Sequence, residues 1–293
     1  MEVSVLGLGT VKLGRNEALK YPQAFTIPTD QEAQALLSLA RSRGINLIDT
    51  APAYGNSEER LGKLLKGQRE HWLICTKVGE EFNRGQSSYY FDPEHTRASL
   101  ERSLRRLNTD ILDIVLVHSD GNDEAIIKDY GTLDVLAEMK QEGKIRSFGM
   151  STKTVTGGLL AAEQCDVVMM TWNLSYHDEV PVIDRCLELN KGVLIKKALA
   201  SGRATGGNRS NNKSSIYNIS TNKANNNQTS NNKTNNKDSS HTENQSAPRQ
   251  SSADPVTKTF ETLLAHKGVS SIIVGSINPA HIRSNIDAAL LVS

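Results

Sequence analysis

Short apolar runs recur along the chain at Val3–Leu8, Ile45–Ile48, Trp72–Thr76, Ile111–Val117, Ile145–Met150, Val167–Trp172, Val193–Ile195 and Ser271–Val274. They are nearly continuous in apolar residues, the pattern of strands covered on both faces. Between them lie segments with helix signals. Thr29 and Glu32 have the spacing of a capping box, in which side chains at the two ends of a first turn satisfy free backbone donors. Ser57–Lys66 stops near Gly67, and Asp92-Pro93 opens a helix whose Leu100, Leu104 and Leu107 share one stripe. Leu133–Gln141 ends at Gly143, Val155–Gln164 follows, and Asp178–Leu189 ends at Gly192. Asp254-Pro255 and Asn278-Pro279 open the last two helices. Strands alternating with helices in this way predict an α/β fold, a single-domain (β/α)8 TIM barrel. Periodicity alone leaves an open, doubly wound sheet as the alternative.

One stretch breaks the alternation. Residues 203–253 are rich in Asn, Ser, Thr and Lys, with Asn-Asn-Lys recurring at Asn211, Asn231 and Asn235, and offer only Ile216, Tyr217 and Ile219 as an apolar cluster. Such a segment cannot bury enough surface to offset its ordering entropy. It is expected to be a solvated, disordered insertion after strand seven, dividing the barrel into residues 1–202 and 254–293; a flap over the site or an interaction tether is the alternative. The remainder supports a large core, since 37% of all residues are hydrophobic. No apolar run reaches the roughly 20 residues of a membrane span, and the N-terminus has no signal-peptide pattern, so a cytoplasmic protein is expected. A net charge of +1 provides no field to attract nucleic acid or membrane. Cys75, Cys165 and Cys186 are too few and too scattered for a disulfide framework or zinc site, and packing is their expected role.

Asp49, Tyr54, Lys77 and His118 stand at or just beyond the ends of consecutive apolar runs. In a barrel this places them on the C-terminal rim of the parallel strands, where such folds carry their chemistry. A phenol, an ammonium, a carboxylate and an imidazole together suit proton transfer to a carbonyl oxygen. Tyrosine ionises near pH 10, so Tyr54 needs a cation such as Lys77 to stabilise its phenolate, with Asp49 holding that cation in place. His118 would orient the substrate oxygen. None of the four donates or accepts a hydride, so a redox role requires a cofactor. Read singly, each has an ordinary structural explanation: a cap, a turn, a solvated lysine, a core histidine. A Schiff base on Lys77 is a competing chemistry, but it leaves Tyr54 without a role.

The segments Leu-Gly-Leu-Gly-Thr at 6–10, Asn-Leu-Ile-Asp-Thr-Ala-Pro-Ala-Tyr-Gly-Asn-Ser-Glu at 46–58, Cys-Thr-Lys at 75–77, Val-His at 117–118 and Ile-Arg-Ser-Phe-Gly-Met-Ser at 145–151 resemble the aldo-keto reductase family. The resemblance implies a (β/α)8 barrel that reduces aldehydes or ketones with a nicotinamide dinucleotide. It assigns Tyr54 as general acid, Lys77 and Asp49 as its tuning pair, and His118 as the carbonyl-orienting group. It also implies that Trp172 stacks on nicotinamide and that Ser151 bonds the carboxamide. Gly-Ser-Ile-Asn-Pro-Ala-His-Ile-Arg-Ser-Asn at 275–285 would take the phosphates and adenine, with Ser276, Asn278, His281 and Asn285 as contacts. Thr152 and Met169 depart from the common Asn and Gln, which predicts a looser carboxamide clamp. Gly275 and His281 replace cations frequent in NADPH users, with Arg283 or Lys196 as compensation, and NADP(H) is favoured over NAD(H). The expected partner is a small-molecule carbonyl compound; no protein partner is indicated. Phe82, Tyr89, Tyr90 and Phe91 suggest an aromatic wall or simple loop packing. A catalytically weak nicotinamide-binding sensor is the alternative function. The short segments before the first run and after the last helix predict an open site and little cover for the barrel bottom.

Overall fold

The computed structural model describes residues 1–19, 21, 24–200 and 254–292. The insertion expected at 203–253 lies outside the described residues. In chain order the elements are β1 (Leu6–Gly9), α1 (Val11–Gly14), α2 (Asp30–Ser42), β2 (Leu47–Asp49), α3 (Ser57–Leu64), β3 (Leu73–Val78), β4 (Glu80–Asn83), β5 (Gln86–Tyr89), α4 (Pro93–Leu107), β6 (Leu112–His118), α5 (Asp123–Lys128), α6 (Thr132–Gln141), β7 (Ile145–Ser151), α7 (Val155–Gln164), β8 (Val167–Thr171), α8 (Val180–Glu188), β9 (Gly192–Lys196), α9 (Pro255–Leu264), β10 (Ser271–Val274) and α10 (Pro279–Leu290).

Eight strands close in the order β1-β10-β9-β8-β7-β6-β3-β2. The seam is β1, which pairs in parallel with β2 through Leu8 and Ile48 and with β10 through Leu6 and Ile272. Pairing on both sides of the first strand leaves no sheet edge, so the open-sheet alternative is excluded. Helix starts follow the local chemistry. Thr29 Oγ1 accepts the amide of Glu32 at 3.2 Å while Glu32 Oε2 accepts the amide of Thr29 at 2.8 Å, completing the expected box. Asp92 accepts the amide of His95 at 2.8 Å, and Pro93 follows at the position that needs no donor.

Two differences from the sequence expectation matter for the site. The first strands begin later than their apolar runs and extend beyond them: Asp49 closes β2 and Lys77 lies inside β3. Hydropathy marks where a strand is greasy, whereas a barrel strand continues into its polar mouth. The second difference is an antiparallel hairpin, β4 and β5, paired from Glu80↔Tyr89 to Asn83↔Gln86 in the loop after β3. The short helices α1 and α5 were also not expected.

Alternation along the strands sets the layers. Leu47, Cys75, Ile114, Leu116, Val167, Met169 and Leu194 form one buried cluster with Ile273 against it, filling the barrel interior. The intervening residues, such as Ile48, Ile74, Val115, Val117, Val168 and Ile195, join the larger core beneath the helices. Gly7 belongs to the interior set: a Cβ there would meet Ile273 Cδ1 at 2.6 Å and Leu47 Cδ2 at 3.0 Å. All three cysteines are buried with free thiols, as packing requires. Among the described residues no helix is long and apolar enough to cross a membrane.

Candidate active site

Continuing the same alternation by two residues converts the apolar layer into a polar one. Leu47 is succeeded inward by Asp49, Cys75 by Lys77, Leu116 by His118, Gly149 by Ser151 and Leu194 by Lys196. Lys77 Nζ donates to Asp49 Oδ1 at 2.5 Å and to the carbonyl of Thr50 at 2.8 Å, with both side chains of the ion pair buried. Tyr54 reaches the pair from the loop between β2 and α3. Its hydroxyl donates to Asp49 Oδ2 at 3.4 Å, and Lys77 Nζ lies 4.8 Å from its ring centre. Burial alone would lower the pKa of Lys77, but Asp49 and Tyr54 outweigh it and the ammonium is held well above its ordinary value. Burial, reinforced by Asp49, pushes Tyr54 upward more strongly than Lys77 pulls it down. Lys77 acts in the expected direction but does not prevail, and Tyr54 is a protonated hydroxyl, the form a proton donor must have.

The Tyr54 loop is fixed by backbone contact. Gly55 has φ of +65°, and a Cβ on it would meet the carbonyl oxygen of Gly14 at 2.1 Å. On the other side, a Cβ on Gly14 would meet the carbonyl oxygen of Tyr54 at 2.3 Å. Arg15 adds a clamp, donating to the Ala53 carbonyl at 3.0 Å while its guanidinium lies 3.4 Å from the ring centre of Phe82 in the hairpin. His118 closes the group, its ring edge-on to Tyr54 at 6.4 Å between centres. On its far side Nδ1 lies 2.8 Å from Glu80 Oε2, an approach oblique to the ring N–H. Glu80 was not foreseen, because Glu80-Glu81 reads as a solvated charge pair until the hairpin folds. The aromatic wall resolves into parts: Phe82 lies under Arg15, Phe91 is buried and stacked with Tyr89, and Tyr90 is exposed beside His95.

A model of the aldo/keto reductase family matches residues 5–292. The chain belongs to the aldo/keto reductase family. It is similar to a solved structure from Pseudomonas aeruginosa ascribed to the aldo-keto reductases, with 44% identity and a TM-score of 0.77 over 99% of this chain and 90% of that one. It is 25% identical to the uncharacterized oxidoreductase YqkF of Bacillus subtilis over 99% of this chain and 88% of the relative. L-galactose dehydrogenase of Arabidopsis thaliana is 34% identical over 158 residues, which span 52% of this chain and 45% of that enzyme.

Aldo/keto reductases act on small carbonyl compounds with a nicotinamide cofactor, and two parts of this barrel fit such a group. On β7, Ser151 sits beside His118 in register, and the buried Thr152 Oγ1 has no hydrogen-bond partner. Lys196 donates to Ser151 Oγ at 2.8 Å and to the Thr152 carbonyl at 2.7 Å. Burial lowers the pKa of Lys196, while Glu179 opposes the shift. Its ammonium thus reaches across β8 toward β7, away from β10. Met169 is buried in the apolar interior and has no amide to offer a carboxamide. Trp172 lies one residue past β8 and is buried; its indole N–H donates to His177 Nδ1 at 3.1 Å and its ring stands edge-on to His266 at 5.8 Å. The second part is the start of α10. Ser276 Oγ accepts the amide of Asn278 at 3.1 Å, and Asn278 Oδ1 accepts the amide of Ala280 at 2.9 Å. His281 and Arg283 are exposed on the following turns, and Asn285 is buried. A helix N-terminus with an exposed arginine on its second turn suits an anionic phosphate.

Proposed function

We propose that this aldo/keto reductase reduces aldehydes or ketones to alcohols by hydride transfer from NAD(P)H, with Tyr54 as the proton donor, in the cytoplasm. The observation that supports this reading is the buried Asp49–Lys77 pair with the Tyr54 hydroxyl against it, at the mouth of a closed parallel barrel. When bound, the nicotinamide supplies the hydride. Asp49 keeps Lys77 charged, and Lys77 stabilises the phenolate that forms as Tyr54 releases its proton to the carbonyl oxygen. His118 faces the same oxygen and sets its direction. The Schiff-base reading is disfavoured by the same pair, since an ammonium locked against Asp49 is no nucleophile.

NADP(H) is favoured over NAD(H), because Arg283 stands exposed on the second turn of α10, past Ser276 and Asn278. Ser151, with Lys196 donating to its oxygen, keeps its own proton for a carboxamide oxygen, and Asn285 and Trp172 complete the proposed contacts. Loss of nicotinamide absorbance with a simple aldehyde tests the activity, and Tyr54→Phe is expected to slow turnover at least about a hundredfold. An undiminished rate in that variant would remove Tyr54 from the role. Tryptophan quenching by NADPH and NADH in parallel tests the cofactor preference. Met169, which has no amide for the carboxamide, favours one second reading, a sensor that binds the dinucleotide but turns over poorly. Tight binding with no reduction across varied carbonyl compounds would select it.

A further inference from the structure

The hairpin places a carboxylate behind His118, and its surroundings show how that carboxylate is held. Glu80 begins β4, Ser87 on β5 donates to its Oε1 at 2.6 Å, and the Glu80 side chain is only 11% exposed. Burial works against its charge, but His118, Ser87 and Arg15 bring its pKa down to about 2, so it is ionised throughout the neutral range. His118 is also faced by Lys77 from β3, by Lys196 from β9 and by the Tyr54 ring from the β2–α3 loop, with Asp49 of β2 behind Tyr54. Burial is the largest influence on its imidazole and lowers its pKa, the two lysines add to that, and Glu80 alone opposes them.

A carboxylate oxygen 2.8 Å from Nδ1 favours the tautomer with a proton there over the one that leaves a lone pair. The neutral ring then presents a bare Nε2, which accepts a hydrogen bond from a hydroxyl but cannot donate one to a carbonyl. The imidazolium presents Nε2–H and can donate. We propose that Glu80 is a positioning residue that fixes the Nδ1–H form of His118 and sustains its imidazolium, so that His118 serves as donor to a carbonyl oxygen when charged and as acceptor from an alcohol hydroxyl when neutral. The proposal rests on the carbonyl-reductase reading of the same site. Catalytic hydrogen bonds are often poorly aligned before substrate binds, so an oblique approach at Nδ1 is compatible with the pairing.

The sign of the pH effect follows. Reduction uses the charged ring and declines as pH rises through the His118 pKa, whereas alcohol oxidation uses the neutral ring and gains over the same interval. In Glu80→Gln the opposing charge is gone and the His118 pKa falls. A fall of one unit leaves about tenfold less imidazolium at any pH above it.

The test uses nitrogen NMR of the imidazoles in the full chain, with His118→Asn identifying the His118 signals. The wild type is expected to show Nδ1 protonated and Nε2 bare at neutral pH. Glu80→Gln should titrate at least one unit lower, and Glu80→Leu, which cannot accept, should lose the preference for Nδ1–H. The pH profile of kcat/KM for reduction should move down by the same interval in Glu80→Gln, and Glu80→Asp should restore part of it. An unchanged tautomer and titration in both Glu80→Gln and Glu80→Leu would overturn the proposal. The NMR readout needs no turnover, so an absence of reductase activity would refute the catalytic reading without obscuring this result. Should Glu80→Leu fail to fold, Glu80→Gln decides the question by its titration alone.

Discussion

Asp49 and Lys77 are each tolerable in the interior only because of the other. Asp49→Asn leaves the Lys77 ammonium buried without a counter-charge, and unfolding by denaturant is expected to show a loss of about 3–5 kcal/mol. Reduction should fall in the same variant, since the charge that stabilises the Tyr54 phenolate is no longer fixed. Glu80 gives a distinct signature. Its folded pKa lies below its ordinary value, so its contribution to stability is present above about pH 4.5 and is lost as pH falls toward 2. Thermal unfolding against pH should therefore show a shallower acid limb in Glu80→Gln than in the wild type. Asp49, Lys77 and His118 were legible in the sequence because each directly follows an apolar run along a strand, and Tyr54 because it lies a short loop beyond Asp49. Glu80, Arg15 and the reach of Lys196 to Ser151 were not, because their meaning comes from contacts across 30 or more residues that no local pattern encodes.

The hairpin is the element that the sequence concealed. Its turn is Arg84-Gly85, both with positive φ, at 49° and 80°. Two such residues build the tight connection whose twist matches a hairpin, but its usual signature is Asn-Gly or Asp-Gly, and Arg in the first place hides it. The strands it joins are only four residues each and mostly polar, so hydropathy gives no help. Gly85→Val has open space for its side chain but an unsuitable backbone angle. A cost of about 1–2 kcal/mol is expected from that strain, with slower reduction because Glu80 and Phe82 lose their placement. The helices were read more easily, since their capping residues act on neighbours three positions away. Thr29→Ala removes one half of a formed box, and calorimetry should register about 1 kcal/mol of lost stability without an effect on the carbonyl chemistry.

Across the whole molecule, the order of elements was readable because each strand and its helix are neighbours in sequence. Closure was not, since Leu6 of β1 meets Ile272 of β10 from the far end of the chain and periodicity does not distinguish a ring from an open row. Side-chain volume decides it at the seam. Gly7 leaves room for Ile273 and Leu47 in the interior, and Gly7→Leu is expected to overfill that layer, costing about 1–3 kcal/mol and visibly lowering the melting temperature. That packed layer has a further effect on traffic. The apolar side chains Leu47, Cys75, Leu116 and Met169 form a stopper in the barrel beneath Asp49 and Lys77. If Tyr54 gives up a proton as proposed, that stopper points its replacement to the upper mouth, the doorway that would admit the carbonyl compound. Recharging the acid and exchanging the substrate thus compete for one passage, and whatever narrows it delays both.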